Sequence, residues 1–380
     1  MKCPRCQNTD LAYFYLGSKG YYCRKCISFK RMLIEDELSP KDYLISDDSY
    51  EYELNYELTK AQKKISNECA KSIDDIDVLL CCSCGCGKTE LVMESISKYL
   101  KMGKKVCYAI ARKEVVLELS IRFKNTFKKA KVIKVCEGYT DELIGDLIVC
   151  TTHQLYRYPK TFDLLILDEV DAFPFKGNEV LENIALNSVV GHIIYSTATL
   201  DETINKFINK RAYKRLSLYQ RPHGYPLIVP KIKYLPKFMI FIDLYQYLKH
   251  SNHQCIIFVE SKKICRYLYF GLSKLFKTTY VYSDLENRDK NILAFKNKEY
   301  DFMIATTVLE RGVTISGVNV VIINILKNVF DKSSIIQMTG RVGRSFKYPI
   351  GDAIIYTSYI NEEAIKAKKE IEYANEMSLL

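Results

Sequence analysis

The stretch DVLLCCSCGCGKTELVMESISKYL, residues 77–100, decides the fold class. After Asp77 it opens with an apolar run of strand length, and it closes with the polar and apolar rhythm of a helix. Between the two, CSCGCGKTE at 82–90 has the strand, loop and helix setting that a phosphate-binding loop requires. Gly85 and Gly87 are expected to let backbone N–H groups close around phosphate oxygens. Lys88 is expected to reach the β and γ oxygens, and Thr89 to ligate Mg²⁺ beside the N-terminus of the helix.

Working outward, KKVCYAIA at 104–111 and KEVVLELSIRF at 113–123 continue the alternation, with strand candidates at 146–151, 163–168 and 191–197. Strands alternating with helices imply βαβ units around a parallel sheet. Four of the nine prolines fall between 217 and 237, and the apolar rhythm restarts with QCIIFVES at 254, followed by strand candidates at 279–283, 301–306, 318–325 and 352–357. The organisation expected is a small cysteine-rich segment at 1–30, an acidic connector at 31–60, a first α/β lobe at 61–216, a linker at 217–237 and a second lobe at 238–380.

A chain of 380 residues exceeds the roughly 250 to 300 that one core supports, so two or three domains are needed. With 48% hydrophobic and 27% charged residues, the composition excludes disordered and collagen-like classes. Apolar runs such as GVNVVIINIL at 317–326 fall short of the roughly 20 residues a bilayer demands, and the start MKCPRC lacks an apolar signal region. A cytoplasmic protein is therefore expected. The net charge is +11, and residues 61–380 carry 47 basic against 35 acidic side chains, a balance that favours polyanions such as phosphate backbones.

Fourteen cysteines would suit a disulfide framework if they were evenly spread, but they are not. Cys3, Cys6, Cys23 and Cys26 form CPRC and CRKC pairs separated by 16 residues, the spacing of a four-thiolate zinc ribbon. Residues 1–30 are too few to fold on a core of their own, and a metal, Zn²⁺ by this spacing, is the expected staple. Arg5, Arg24 and Lys25 sit inside the two turns, where they serve either nucleic acid phosphates or a solvated surface. Cys84 and Cys86 place thiols in the phosphate loop, and a partly exposed thiol there is expected to react readily.

At 164–171 the apolar run LLIL ends in Asp168-Glu169-Val170-Asp171. Asp168 at the strand end is a candidate Mg²⁺ ligand, and Glu169 a candidate to orient or activate water. In QMTGRVGR, Arg341 and Arg344 stand three residues apart, adjacent on one face if the segment is helical, and suit the charge of a γ-phosphate.

These elements, in this order, resemble the core of superfamily 2 helicases and nucleic acid translocases, from about residue 55 to 360. Gln62 in LTKAQ resembles the adenine-recognising glutamine, Ala111-Arg112 with KEVVLEL motif Ia, and TTHQL at 151–155 the stretch before the DExD box. Ser196-Thr197-Ala198-Thr199 resembles motif III, Phe258-Val259-Glu260-Ser261 motif IV, Thr306 to Thr314 motif V with Gly312, and Gln337 to Arg344 motif VI. The resemblance implies two RecA-like lobes with parallel sheets, ATP and Mg²⁺ as ligands, and closure of the lobes as the working stroke. By the same analogy Arg112, Thr152, His153, Thr306 and Thr307 are candidate contacts to a nucleic acid backbone. Tyr156, Tyr158, Phe173 and Phe175 suit base stacking or, at that spacing, the core.

Within the superfamily, the ribbon together with DEVDAFPF, TTVLERGVT and RPHGYPLIVP resembles the ComFA family of late competence ATPases. That family implies a motor at the inner face of the membrane that uses ATP to help draw single-stranded DNA into a transformable bacterium, with partners at the uptake channel including ComFC. This chain departs from the family at Cys82 and Ala111, where Ala and Pro are usual, and neither position is a phosphate or Mg²⁺ ligand. Three other readings compete. A PriA-like helicase carries further cysteines within the motor, whereas these four precede it. An RNA helicase of the DEAD-box type has His where Gln337 stands. A zinc-ribbon DNA-binding scaffold with ATP as a static ligand does not require the intact Lys88, Glu169 and Arg344.

Overall fold

The computed structural model describes residues 1–43, 50–309, 315–326 and 329–378. They form two units, one of 1–82 with 87–218, the other of 83–86 with 219–380.

The first unit begins with a hairpin, β1 (Phe14–Gly17) and β2 (Gly20–Cys23), paired antiparallel with Tyr15 opposite Tyr22. The α/β part follows as α1 (Lys60–Ser72), β3 (Asp77–Cys82), α2 (Lys88–Leu91), α3 (Met93–Lys101), β4 (Val106–Ile110) and α4 (Lys113–Thr126). Then come β5 (Val132–Val135), β6 (Leu147–Thr151), β7 (Phe162–Asp168), α5 (Glu179–Ser188), β8 (Val189–Thr197), α6 (Glu202–Ile208) and β9 (Tyr213–Leu218). The seven strands are parallel, in the order β5-β6-β4-β7-β8-β3-β9. All six residues of β3 are buried, as a strand covered by helices on both faces must be. The register sets Ile110 against Asp168, Asp168 against Ser196, and Ser196 against Leu80, so the candidate residues gather at the carboxyl ends of the central strands. The helix expected after the phosphate loop is interrupted at Val92 and runs as α2 and α3.

The second unit contains β10 (Lys231–Tyr234), α7 (Lys237–His250), β11 (Gln254–Val259), α8 (Lys262–Leu272), β12 (Thr278–Val281), α9 (Arg288–Lys296) and β13 (Phe302–Ala305). It ends with β14 (Val318–Asn324), α10 (Lys332–Thr339), β15 (Ala353–Thr357) and α11 (Glu362–Met377). Its strands are also parallel, in the order β10-β15-β14-β11-β13-β12. The central strand β14 is buried over all seven residues. Part of the proline-rich 217–237 stretch is therefore sheet rather than linker, since β10 pairs with β15 as an edge strand. Its sequence KIKY alternates charge with bulk, the pattern by which an edge resists further pairing.

The arginine segment differs from the helical expectation. α10 ends at Thr339, and Gly340 to Gly343 form a turn in which Gly343 takes a φ of 69°. Arg341 and Arg344 thus do not share a helical face. The positive φ at Gly343 is open to glycine at no steric cost and closes the turn that follows the helix.

Candidate functional site

The four N-terminal thiols lie buried together, each Sγ within 4.8 Å of the others. Cys3 and Cys26 Sγ are 3.7 Å apart, and Cys6 and Cys23 Sγ 3.8 Å. A tetrahedron with metal–sulfur bonds of about 2.3 Å has edges of about 3.8 Å, so the spacing fits a thiolate-bound metal. The cluster is fastened to α5. Asn183 and Asn187 donate to the carbonyls of Cys6 and Pro4 at 2.8 and 3.0 Å, and Lys25 pairs with Glu179 at 2.6 Å. Phe29 and Val180 pack against both the cysteine core and the core of the lobe.

Gly87 has a φ of 89°, and a Cβ there would lie 2.5 Å from Gln62 Nε2 and 3.2 Å from Glu90 Oε2, so the position requires glycine. Gln62, placed by the capping box of α1, accepts from Thr59 N at 3.0 Å while Thr59 Oγ1 accepts from Gln62 N at 3.2 Å. Its carboxamide is thereby fixed beside Gly87. Lys88 and Thr89 open α2 and are half-buried.

Thr89 and Asp168 meet at a residue the sequence reading passed over. The Tyr108 hydroxyl, at the middle of β4, donates to Asp168 Oδ2 at 2.6 Å and is hydrogen-bonded to the Thr89 side chain. Burial, then the Asp168 charge, push the Tyr108 phenol well above its ordinary pKa, so it stays a neutral donor. A hydroxyl and a carboxylate gathered this closely are hard oxygen donors of the kind Mg²⁺ takes. The next residue, Glu169, has a φ of 52°, uncommon for a non-glycine residue, and its N–H donates to Asp168 Oδ1 at 2.9 Å. Strain of this kind concentrates at functional sites. Asp171 completes the segment by accepting from Thr199 Oγ1 at 2.9 Å, which ties the DEVD turn to the Ser196–Thr199 turn.

In the second unit, the first residue of RPHGYPLIVP, to which the sequence assigned no role, organises the arginine turn. Arg221 is 2% exposed, and its guanidinium donates to the carbonyls of Gly340, Val342 and Gly343 at 3.0, 2.8 and 2.7 Å, and to Cys84 O at 3.0 Å. Burial, with Arg344 adding to it, lowers its pKa to about 10, which leaves it charged near neutrality. Replacing Arg221 by methionine leaves buried carbonyls without a donor, so unfolding midpoints in urea should report a loss of about 3 kcal/mol. Lysine should not restore it, because one ammonium cannot span the fork. Arg341 is buried, Arg344 is half-buried with Nε donating to Gly340 O at 2.9 Å, and Gln337 Oε1 accepts from Cys84 Sγ at 3.3 Å. Cys84 and Cys86 are 5% and 0% exposed, so neither thiol has the exposure expected of a reactive one. Gly312 lies outside the described residues.

Of the candidate backbone contacts, Arg112, Thr152 and His153 follow the paired carboxyl ends of β4 and β6, where Ile110 stands against Thr151. Arg112 is the N-cap of α4, Thr152 is buried, and His153 stacks on Phe29 with centroids 6.1 Å apart. Thr306 and Thr307 follow β13 in the second unit, half-buried and exposed. Tyr158 and Phe175 are core residues, Tyr156 packs on Phe29 at 5.4 Å, and Phe173 is 83% exposed.

Comparison with known proteins gives this geometry its setting. Residues 55–202 match the family described as the type III restriction enzyme res subunit, and 231–346 the helicase conserved C-terminal domain. Among solved structures, the chain is similar to S. cerevisiae Dbp5 bound to RNA and ADP BeF3, with a TM-score of 0.63 and 17% identity over 83% of this chain and 87% of that one. It is similar to RecG bound to a three-way DNA junction, with a TM-score of 0.59 and 19% identity over 84% and 47% of the two chains. These likenesses establish two RecA-like lobes and the helicase fold, which implies ATP and Mg²⁺. The competence protein ComFA of Bacillus subtilis is 29% identical, covering 99% of this chain and 86% of that protein. ComFA of Streptococcus pneumoniae is 35% identical, covering 98% of this chain and 90% of that protein. With the helicase fold and near full-length likeness to two competence proteins, the chain belongs to the ComFA family of helicase-like ATPases.

Proposed function

We infer that the protein is a DNA-dependent ATPase that moves on single-stranded DNA during uptake of transforming DNA. The observation that carries this reading is the convergence of Thr89 in the first turn of α2, the Tyr108 hydroxyl from the middle of β4 and Asp168 at the carboxyl end of β7, with Glu169 held in the following turn. Thr89 and Asp168 hold Mg²⁺, which, when bound, neutralises charge on the β and γ oxygens. Gly85, Gly87 and Lys88 bind the phosphates, and Gln62 meets the base. Glu169 takes the proton of the attacking water, and Arg341 and Arg344 offset charge that develops on the γ-phosphate. Gln337 and Gly312 complete the nucleotide-binding set.

Zn²⁺ occupies the four-thiol cluster, a reading supported by its 3.7 and 3.8 Å sulfur separations. Arg112, Thr152, His153, Thr306 and Thr307 contact the strand backbone, so recognition is independent of sequence. No helix among the described residues is long and apolar enough to cross a membrane. By likeness to the competence proteins, the protein works at the inner face of the membrane with partners at the uptake channel, ComFC among them.

The test measures ATP turnover with no nucleic acid, single-stranded DNA, duplex DNA and RNA in parallel. Single-stranded DNA should stimulate most, and Lys88→Ala should lower turnover by about 10²-fold or more while DNA binding persists. Stimulation by RNA alone points instead to an RNA helicase, and no stimulation to a scaffold with ATP as a static ligand.

A further inference from the structure

The cysteine-rich segment carries a feature that its metal does not require. On the hairpin, Tyr15 and Tyr22 stand directly opposite each other, with ring centroids 6.5 Å apart. The Arg24 guanidinium lies over the Tyr15 ring at 4.2 Å, and that of Arg31 over the Tyr22 ring at 4.8 Å. The result is an Arg–Tyr–Tyr–Arg ladder across one face of the two strands. Cys23 and Phe14, the neighbouring pair in the register, alternate to the opposite face, where they join the cysteine core.

Docking to α5 leaves this face uncovered. The contacts to the lobe come from the metal turns and Phe29, whereas Tyr15 keeps 44% of its surface exposed and both arginines are exposed. Tyr22 is half-buried, and an exposed tyrosine set between two exposed arginines on a domain this small needs a reason. Charge supplies one, because residues 1–31 hold seven Lys and Arg against the single acidic Asp10. Position supplies another, since Phe29 seats the segment on His153 and Tyr156, within the stretch proposed above to follow the strand.

The geometry points to a second single-stranded DNA site on this hairpin face, separate from the motor and resting on the reading that the motor binds single-stranded DNA. Bases stack on the tyrosines and on the flat guanidinium planes, while the remaining guanidinium N–H groups reach phosphates. Stacking requires no particular base, which suits a protein that takes up DNA of any sequence.

The experiment measures fluorescence anisotropy of labelled oligo(dT), in a short form and one about twice as long, with the full-length protein in its metal-loaded state. Tyr15→Ala with Tyr22→Ala should weaken binding of the longer strand roughly tenfold to hundredfold and that of the short strand far less. Phenylalanine at both positions should retain most of the affinity. Arg24→Ala with Arg31→Ala should reduce the slope of log affinity against log salt by about 1.4 for the longer strand. Metal content is measured on each variant, so loss of binding with the metal retained reports the face rather than an unfolded ribbon. Wild-type affinity in the alanine variants overturns the site and makes the face a dock for a protein partner. Wild-type ATP turnover with the same oligo(dT) separates the two readings. Without stimulation the motor proposal fails, whereas stimulation together with unchanged variant affinity removes only the ribbon site.

Discussion

Replacing Glu169 by glutamine is expected to lower ATP turnover by about 10³-fold while nucleotide affinity stays within a few-fold of the parent. The carboxylate stands one residue beyond the end of β7, where Glu169 adopts a φ of 52° and its N–H is held by Asp168 Oδ1. Glutamine has the same length and the same backbone tolerance, so the turn should survive, and with it Asp168 and the Tyr108 bond. What disappears is a group able to take a proton from water. The Asp171 link to Thr199 should also persist, so the variant should remain responsive to DNA. Single-turnover hydrolysis beside equilibrium binding of a fluorescent ATP analogue makes the separation. A parallel fall in affinity would show instead that Glu169 holds nucleotide rather than water.

Much of the motor was legible because its strands are buried on both faces. DVLLCC, LLILD and VNVVIIN read as strands from composition alone, and each is buried along its length. Shorter or charged strands gave no such signal, as VIKV of β5 and KIKY of β10 show, the latter lying within the proline-rich stretch. The phosphate-loop and acidic residues were named from spacing, but Tyr108 was hidden inside an apolar run. Only the pairing of β4 with β7 brings its hydroxyl to Asp168. Arg221 stood out only as part of RPHGYPLIVP, and its role was illegible because its acceptors are backbone carbonyls more than a hundred residues away in the chain, which leave no trace in sequence. The arginine turn misled for a local reason. Its three-residue spacing suited a helix, and the glycine that ends the helix is itself part of the motif.

Cys23→Ser is expected to abolish metal binding and to unfold residues 1–31 while the seven-stranded lobe remains folded. The segment has two four-residue strands and a core made chiefly of its own cysteines and Met32, so almost all of its stability is expected to come from the proposed metal, worth about 10 to 16 kcal/mol for sites of this class. The lobe depends on it much less. α5 buries Leu181, Ile184 and Ala185 in the lobe core, a cluster built from the lobe's own strands and helices against which the ribbon packs Phe29. Losing the ribbon uncovers Phe29 and Val180, and the lobe should give up only about 2 kcal/mol, the scale of one apolar side chain returned to water. Metal analysis should find the site empty in the variant, and hydrogen exchange should show residues 1–31 unprotected with β7 and β8 unchanged. Loss of protection across α5 and β8 as well would make the ribbon part of the lobe's cooperative unit. In that case the bonds from Asn183 and Asn187 would be structural braces for the motor, and the ribbon could not be described as a module seated upon it.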